Sequence, residues 1–106
     1  MNTDNQNNCP AENAIKLLSG KWKPQIFKLA VEQPIRFNAL LRALPGASKQ
    51  AIATALKELE EAEILDKITI NEKPLHIEYH LTEKGKSIIP VFQQLETIFT
   101  NTTESD

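Results

Sequence analysis

The sequence predicts a mainly α-helical domain with one small β-hairpin. Its 106 residues amount to one ordinary domain, and 41% apolar with 25% charged residues is typical of globular proteins. Apolar residues recur every three or four positions up to about Ile64, where the period changes to two for one short stretch. The polar ends, residues 1–8 and 101–106, predict disordered tails around a single domain at residues 9–100.

Prolines mark the starts of the first two helices. Cys9 stands at the cap position before Pro10, a residue that suits the first position of a helix. Ser19-Gly20 should end this helix, because glycine commonly follows a helix C-terminus. Pro24 begins the second helix, which should end before Pro34.

A tight turn separates a short third helix from a longer fourth one. The third helix begins near Phe37 and is closed by Pro45-Gly46. Ser48 then caps the fourth helix, whose apolar residues recur at steps of three and four from Ile52 to Ala62. This succession of short helix, tight turn and longer helix predicts a helix-turn-helix.

A hairpin and a last helix complete the predicted fold. The isoleucine-rich segment 64–70 predicts a strand, residues 71–74 a turn, and the alternating segment 75–81 a second strand. Thr82 should cap the last helix, and Pro90 should kink it. A hairpin directly after a helix-turn-helix makes a winged helix, here with extra helices at both ends.

The charge is strongly polarised along the chain although the net charge is only −2. Residues 13–57 contain eight basic side chains and one acidic, whereas residues 58–106 contain four basic and eleven acidic. This predicts a basic face for a polyanion; chance segregation on a solvated surface is the alternative. No run approaches about 18 apolar residues, so no membrane span is predicted, and the first ten residues lack signal-peptide features, which predicts the cytosol.

The fourth helix supplies the candidate contacts with double-stranded DNA. In a helix-turn-helix, the first turns of this helix face the base edges of the major groove. Gln50 suits adenine, Lys49 suits guanine, and Ser48 with the nearby amides could hold a phosphate. The full candidate set is Arg36, Arg42, Ser48, Lys49, Gln50, Ala53, Thr54, Lys57, Lys73 and His76. The alternative is a solvated face on a winged helix that contacts only proteins.

No catalytic or metal-binding set is evident in the sequence. Cys9 is the single cysteine, so neither an internal disulfide nor a cysteine zinc site can form. His76 and His80 should lie about 13 Å apart along a strand, too far to share one ion. The chain also lacks a glycine-rich phosphate loop. We therefore predict no enzyme activity, no metal and no cofactor.

Several segments match the motifs of one known family in order and spacing. They are Cys9–Glu12, Ser19–Trp22, Arg36-Phe37, Arg42–Gly46, Leu56–Glu60, Ile77–Tyr79, Leu81–Gly85 and Pro90. On these motifs the chain resembles the HxlR-type winged helix-turn-helix regulators of bacteria, relatives of the MarR group. The resemblance implies a homodimer on a palindromic operator, with residues 48–61 in the major groove and a wing at 71–76. Two positions depart from the family pattern: His76 replaces a common arginine, and Ala53 replaces a common polar residue.

The last helix is apolar over more than one stripe. A domain of about 90 residues needs only one such stripe for its own core. We expect the surplus to pair with a second copy, with the first helix contributing; an entirely internal core is the alternative. The predicted interface residues are Ile15, Leu18, Ile88, Val91, Phe92, Leu95, Ile98 and Phe99.

Cys9 is a candidate redox sensor. The positive end of a helix favours the thiolate, although the nearby Glu12 opposes it. Some HxlR-like regulators respond to oxidants or electrophiles such as quinones and aldehydes through a cysteine at this position, so the resemblance implies a small effector of that class. An inert packing cysteine is the alternative. Oxidation could give only an inter-subunit disulfide, a mixed disulfide or an adduct.

Overall fold

The computed structural model describes the backbone of residues 9–105 and the side chains of residues 9–100. The elements follow the predicted order: α1 (Pro10–Leu17), α2 (Lys23–Glu32), α3 (Phe37–Ala43), α4 (Lys49–Glu61), β1 (Leu65–Glu72), β2 (Leu75–Leu81) and α5 (Glu83–Ser105). The predicted tail at 1–8 lies outside the described residues. The last helix continues through residues 101–105, which the sequence assigned to a tail. None of the described helices is long and apolar enough to cross a membrane.

The core lies between α2, α3, α4 and the start of the hairpin. Its largest fully buried side chains are Phe27, Ile26, Leu40, Ile52, Leu56, Leu59, Ile64 and Leu65. The apolar face predicted for α4 therefore faces inward, and its polar face stays in solvent. From the other end of the chain, Phe92 of α5 packs on Phe27 with 5.2 Å between ring centroids. This contact holds the last helix against the helical core.

Local caps explain why the helices begin and end where they do. Ser48 Oγ accepts a hydrogen bond from the Ala51 amide at 3.0 Å, as the predicted cap of α4. Cys9 is the cap residue of α1, but its side chain makes no capping hydrogen bond. Gly20 and Gly46 have positive φ angles of 88° and 96°, which other residues rarely adopt. These two glycines therefore permit the turns that follow α1 and α3.

The first strand of the hairpin extends further, and the turn is tighter, than the sequence predicts. The strands pair antiparallel from Leu65 opposite Leu81 to Glu72 opposite Leu75, with an irregularity between Thr69 and Asn71. The predicted turn at residues 71–74 is wrong by two residues, because 71 and 72 belong to β1 and only 73 and 74 form the turn. The shift in register brings residues 71 and 72 into the ladder.

A short bridge attaches the hairpin to the helical core. The amide of Ile35 donates to the Tyr79 carbonyl at 3.0 Å, and the amide of Tyr79 donates to the Ile35 carbonyl at 2.8 Å. Ile35 lies between α2 and α3, so the segment that enters the helix-turn-helix is bonded directly to β2. The position of the wing relative to α3 and α4 is therefore fixed by backbone hydrogen bonds.

The junction between the hairpin and α5 leaves no room for a side chain at Gly85. Thr82 Oγ1 accepts a hydrogen bond from the Gly85 amide at 2.9 Å, which confirms the predicted cap. The same hydroxyl lies 2.5 Å from the Glu63 carbonyl and 3.2 Å from that of Ile64. A Cβ atom at Gly85 would stand 2.5 Å from the Ile64 carbonyl oxygen. The last helix thus touches the backbone that enters the wing.

Candidate nucleic-acid interface

The candidate interface is centred on the solvent-facing side of α4. Its predicted contact residues, all exposed, are Ser48, Lys49, Gln50, Ala53, Thr54 and Lys57. The opposite side of the helix is anchored by buried Ile52, Leu56 and Leu59, so the exposed side chains project from a fixed support. The Ser48 oxygen already accepts the Ala51 amide, while its O–H remains a donor suited to a phosphate oxygen.

Two arginines lie at the two ends of α3, the helix that precedes α4. Arg36 is the cap residue of α3 and Arg42 lies in its last turn, and both side chains are exposed. Within residues 9–100, Arg36, Arg42, Lys49 and Lys57 form no ion pair with a carboxylate. Their charge is available to an external anion.

Other basic residues of the segment 13–57 form ion pairs within the fold. Lys23 Nζ lies 2.8 Å from Glu58 Oε1, and Lys28 Nζ lies 2.8 Å from Glu96 Oε2. The first pair joins the start of α2 to α4, and the second joins α2 to α5. The basic excess seen in the sequence therefore contains both structural ion pairs and charges without a carboxylate partner.

The wing carries Lys73 in its turn and a row of three titratable side chains on β2. His80 Nε2 lies 2.9 Å from one oxygen of the Glu78 carboxylate, and His76 Nε2 lies 3.1 Å from the other. The hydrogen bond from His80, with a further one from His76, lowers the pKa of Glu78 below its ordinary value. A DNA contact by His76 stays a prediction, and such a contact would compete with Glu78.

The hairpin also carries Tyr79, the neighbour of Glu78 on β2. Burial, with a smaller contribution from the charge of Glu60, raises the pKa of the Tyr79 hydroxyl. Among the described residues, no group of three or more histidine, cysteine, aspartate or glutamate side chains is arranged to hold a metal ion. The His76–Glu78–His80 row is thus a hydrogen-bonded triplet of side chains along one strand.

The loop between α1 and α2 is a neighbour of α4 that sequence analysis missed. Lys21 and Trp22 of this loop line a pocket of about 470 Å³, and Gln50 and Thr54 of α4 line the same pocket. The sequence motif at residues 19–22 indicated only a helix end and a family resemblance. A lysine next to the only tryptophan of the chain was the available signal for a surface role.

The predicted dimer residues fall into two groups. Leu18, Ile88 and Phe92 are partly buried against the core of their own chain, so they are less available to a second copy. The remaining ones are exposed by 70% (Ile15), 59% (Val91), 47% (Leu95), 50% (Ile98) and 66% (Phe99). One stripe of α5 thus packs on the internal core and another is exposed, and the dimer interface stays a prediction.

Cys9 is exposed at the start of α1. Its carbonyl oxygen accepts a hydrogen bond from the Asn13 amide at 3.1 Å, which ties the cysteine to the first helical turn. Glu12, the acid expected to oppose a thiolate, lies 3.8 Å from Lys16 Nζ. The thiol is accessible to reagents in solution.

Comparison with known proteins identifies the family. A family model for the HxlR-like helix-turn-helix matches residues 17–106. The HTH-type transcriptional regulator YodB of Bacillus subtilis is 36% identical over 89 residues, which cover 83% of this chain and 80% of YodB. An HTH-type transcriptional regulator of Methanothermobacter thermautotrophicus is 33% identical over 92 residues, which cover 87% of this chain and 70% of the relative.

Solved structures give the same result for the fold. Reduced YodB superposes with a TM-score of 0.77 at 36% identity, over 84% of this chain and 88% of YodB. The redox regulator HypR in its reduced form superposes with a TM-score of 0.80 at 28% identity, over 92% of this chain and 99% of HypR. A quinone-bound structure of YodB has a TM-score of 0.75 at 33% identity, over 88% of this chain and 99% of YodB. The chain therefore belongs to the HxlR-type family of winged helix-turn-helix transcriptional regulators, DNA-binding proteins that are not enzymes.

Proposed function

We propose that this protein regulates transcription as a homodimer that binds a palindromic operator through α4 and the wing. The observation that carries the proposal is the face of α4, where Lys49, Gln50 and Thr54 project from a buried support. Arg36 and Arg42, at the two ends of α3, have no carboxylate partner among the described side chains. Since the target is DNA, we place the activity in the cytoplasm.

The exposed apolar side of α5 supports the homodimer. Val91 and Leu95 stand one helical turn apart and are exposed by 59% and 47%. Ile15 of α1 is exposed by 70%. A two-fold axis along this side would bury the apolar row and carry two copies of α4. Copies of α4 about 34–36 Å apart would meet successive major grooves, which is the geometry of a palindromic site.

The first test is a fluorescence anisotropy titration of the reduced protein. The probes are duplex DNA from upstream of its own gene and a scrambled duplex of the same composition, each at several salt concentrations. We expect selective binding of the upstream duplex that weakens steeply as salt rises, because phosphate contacts release counterions. A folded protein that binds both duplexes equally, or neither, contradicts autoregulation through an operator; no binding at all favours the protein-contact alternative.

Replacing Gln50 with alanine should weaken operator binding by about 1–3 kcal/mol, because a paired contact with an adenine edge is lost. Binding to the scrambled duplex should change much less. The matched control is Arg42→Ala, which should weaken both duplexes by a similar factor and lower the salt dependence. Equal losses on both duplexes for Gln50→Ala would exclude base contact by this residue.

We also propose that oxidants or electrophiles act on this regulator through Cys9. The support is the exposed thiol at the start of α1, together with the likeness to a redox regulator, HypR, and to YodB, which has been solved with a bound quinone. Cys9 is the cap residue of α1, the helix that carries Ile15 of the candidate dimer interface. A disulfide between subunits or an adduct at Cys9 would therefore alter the spacing of the two α4 helices.

Diamide treatment should weaken operator binding of the wild-type protein severalfold, and reduction should restore it. Cys9→Ser should bind the operator as the reduced wild type does and should not respond to diamide. Anisotropy measures the affinity, and non-reducing electrophoresis with intact mass shows which product has formed. If fully modified wild-type protein binds the operator with unchanged affinity, Cys9 is not the sensor.

A further inference from the structure

We propose that the α1–α2 loop, residues 19–22, forms a second DNA-contacting wall beside α4, with Lys21 binding a backbone phosphate next to the bases that Gln50 and Thr54 contact. This inference rests on the proposed function and adds a segment outside both the helix-turn-helix and the wing. It assigns to the loop a backbone contact, which adds affinity for any DNA sequence and fixes the position of α4 on the duplex.

The α1–α2 loop lies beside the exposed side of α4. Lys21 and Trp22 line the same open pocket of about 470 Å³ as Gln50 and Thr54 of α4. An α-helix with its side chains is about 10–12 Å across, and the major groove is about 12 Å wide, so α4 would nearly fill the groove. A segment packed beside α4 on the same surface then faces the sugar-phosphate strand that borders the groove.

The charged side chains around the pocket leave an excess of positive charge. Glu58, an acid in its lining, is neutralised by Lys23, whose Nζ lies 2.8 Å from the carboxylate. Lys21 is exposed, and it forms no ion pair with any carboxylate of residues 9–100. The net charge at the rim of the pocket is therefore positive, and it is concentrated on Lys21.

The loop is held in place before any DNA arrives. Lys23 connects it to α4 through Glu58, and Gln25 Nε2 donates a hydrogen bond to the Lys21 carbonyl at 2.8 Å. The Lys21 ammonium stands 5.0 Å from the centroid of the Trp22 ring, within the range of a cation–π contact. A lysine restrained in this way loses less conformational entropy when it binds a phosphate.

Trp22 provides a direct reporter of the pocket. It is the only tryptophan in the chain, so all tryptophan fluorescence comes from this site. Its ring lines the pocket, and its Cη2 atom comes within 4.0 Å of the place where a Cβ on Gly46 would stand. Trp22 therefore lies beside the turn that leads into α4, and DNA seated over the pocket should shield it.

The test compares Lys21→Met with Lys84→Met in the full-length protein, on the operator and on the scrambled duplex. Methionine keeps an unbranched side chain over Trp22 and removes the charge. Lys84 is an exposed lysine of α5. Its replacement by methionine removes the same charge, but from the acidic half of the chain. We expect Lys21→Met to weaken both duplexes by a similar factor and to lower the slope of log affinity against log salt by about 0.9. Lys84→Met should leave the slope unchanged, and Lys21→Arg should restore it.

Iodide quenching of the wild-type protein supplies a readout independent of the variants. Quenching of Trp22 should fall when the operator binds. An unchanged salt slope for Lys21→Met, or equal iodide quenching of free and DNA-bound protein, overturns the proposed wall even though the operator is bound. Failure of the wild-type protein to bind either duplex overturns the proposed function instead, so the two failures are distinguishable.

Discussion

Replacing Leu95 with glutamate should convert the protein to a monomer and weaken operator binding by more than about a hundredfold. The proposed two-fold interface would bury this side chain against the partner, and an unpaired buried charge costs about 3–5 kcal/mol. About 2.8 kcal/mol already corresponds to a hundredfold change in an equilibrium constant. A monomer also loses the second α4, and with it the contacts to one half of the operator.

The fold of the monomer should survive this substitution. Leu95 is 47% exposed in the single chain, so glutamate can keep its carboxylate in water there. Gln93→Glu is the matched control, because it adds the same charge two residues away, about 200° around the helix. Analytical ultracentrifugation reports the mass, circular dichroism the fold, and anisotropy the affinity. A dimeric Leu95→Glu variant with wild-type affinity would show that α5 does not form the interface through this side.

Elements defined by local chemistry could be predicted from the sequence. Ser48 caps α4 as predicted, because a cap depends on a side chain and an amide three residues apart. The helical spacing of Ile52, Leu56 and Leu59 correctly gives the buried side of α4, and hence the exposed candidate residues. The bounds of the turn in the wing could be predicted less accurately, because the register shift after Thr69 depends on pairing between strands.

Features that join distant parts of the chain could not be predicted. The Lys23–Glu58 pair and the Ile35–Tyr79 bridge connect residues with no spacing rule between them. For the same reason the α1–α2 loop was not recognised as a neighbour of α4. The burial of the apolar stripes of α5 could not be predicted either. Helical periodicity identifies the stripes, but it does not distinguish the one that packs on Phe27 from the one that is exposed.

Replacing Gly85 with alanine should destabilise the protein by about 1–3 kcal/mol, the usual cost of forcing extra atoms into a packed site. The new Cβ would stand 2.5 Å from the Ile64 carbonyl oxygen, which is backbone and cannot rotate away. That oxygen also accepts the Thr82 amide at 3.0 Å, so moving it breaks the junction between the hairpin and α5. Helix propensity alone favours alanine over glycine by about 0.8–1.0 kcal/mol, so a net loss would isolate the steric effect.

Urea unfolding followed by circular dichroism measures this loss, with Ser87→Ala as a control on the exposed side of the same helix. We expect the control to change stability by less than about 0.5 kcal/mol. Operator affinity of folded Gly85→Ala should also fall, because this contact lies where the helix proposed to form the dimer meets the segment that leads into the wing. A variant as stable as the wild type would mean that α5 does not approach Ile64 this closely, and the spacing of the two α4 helices would then depend on some other contact.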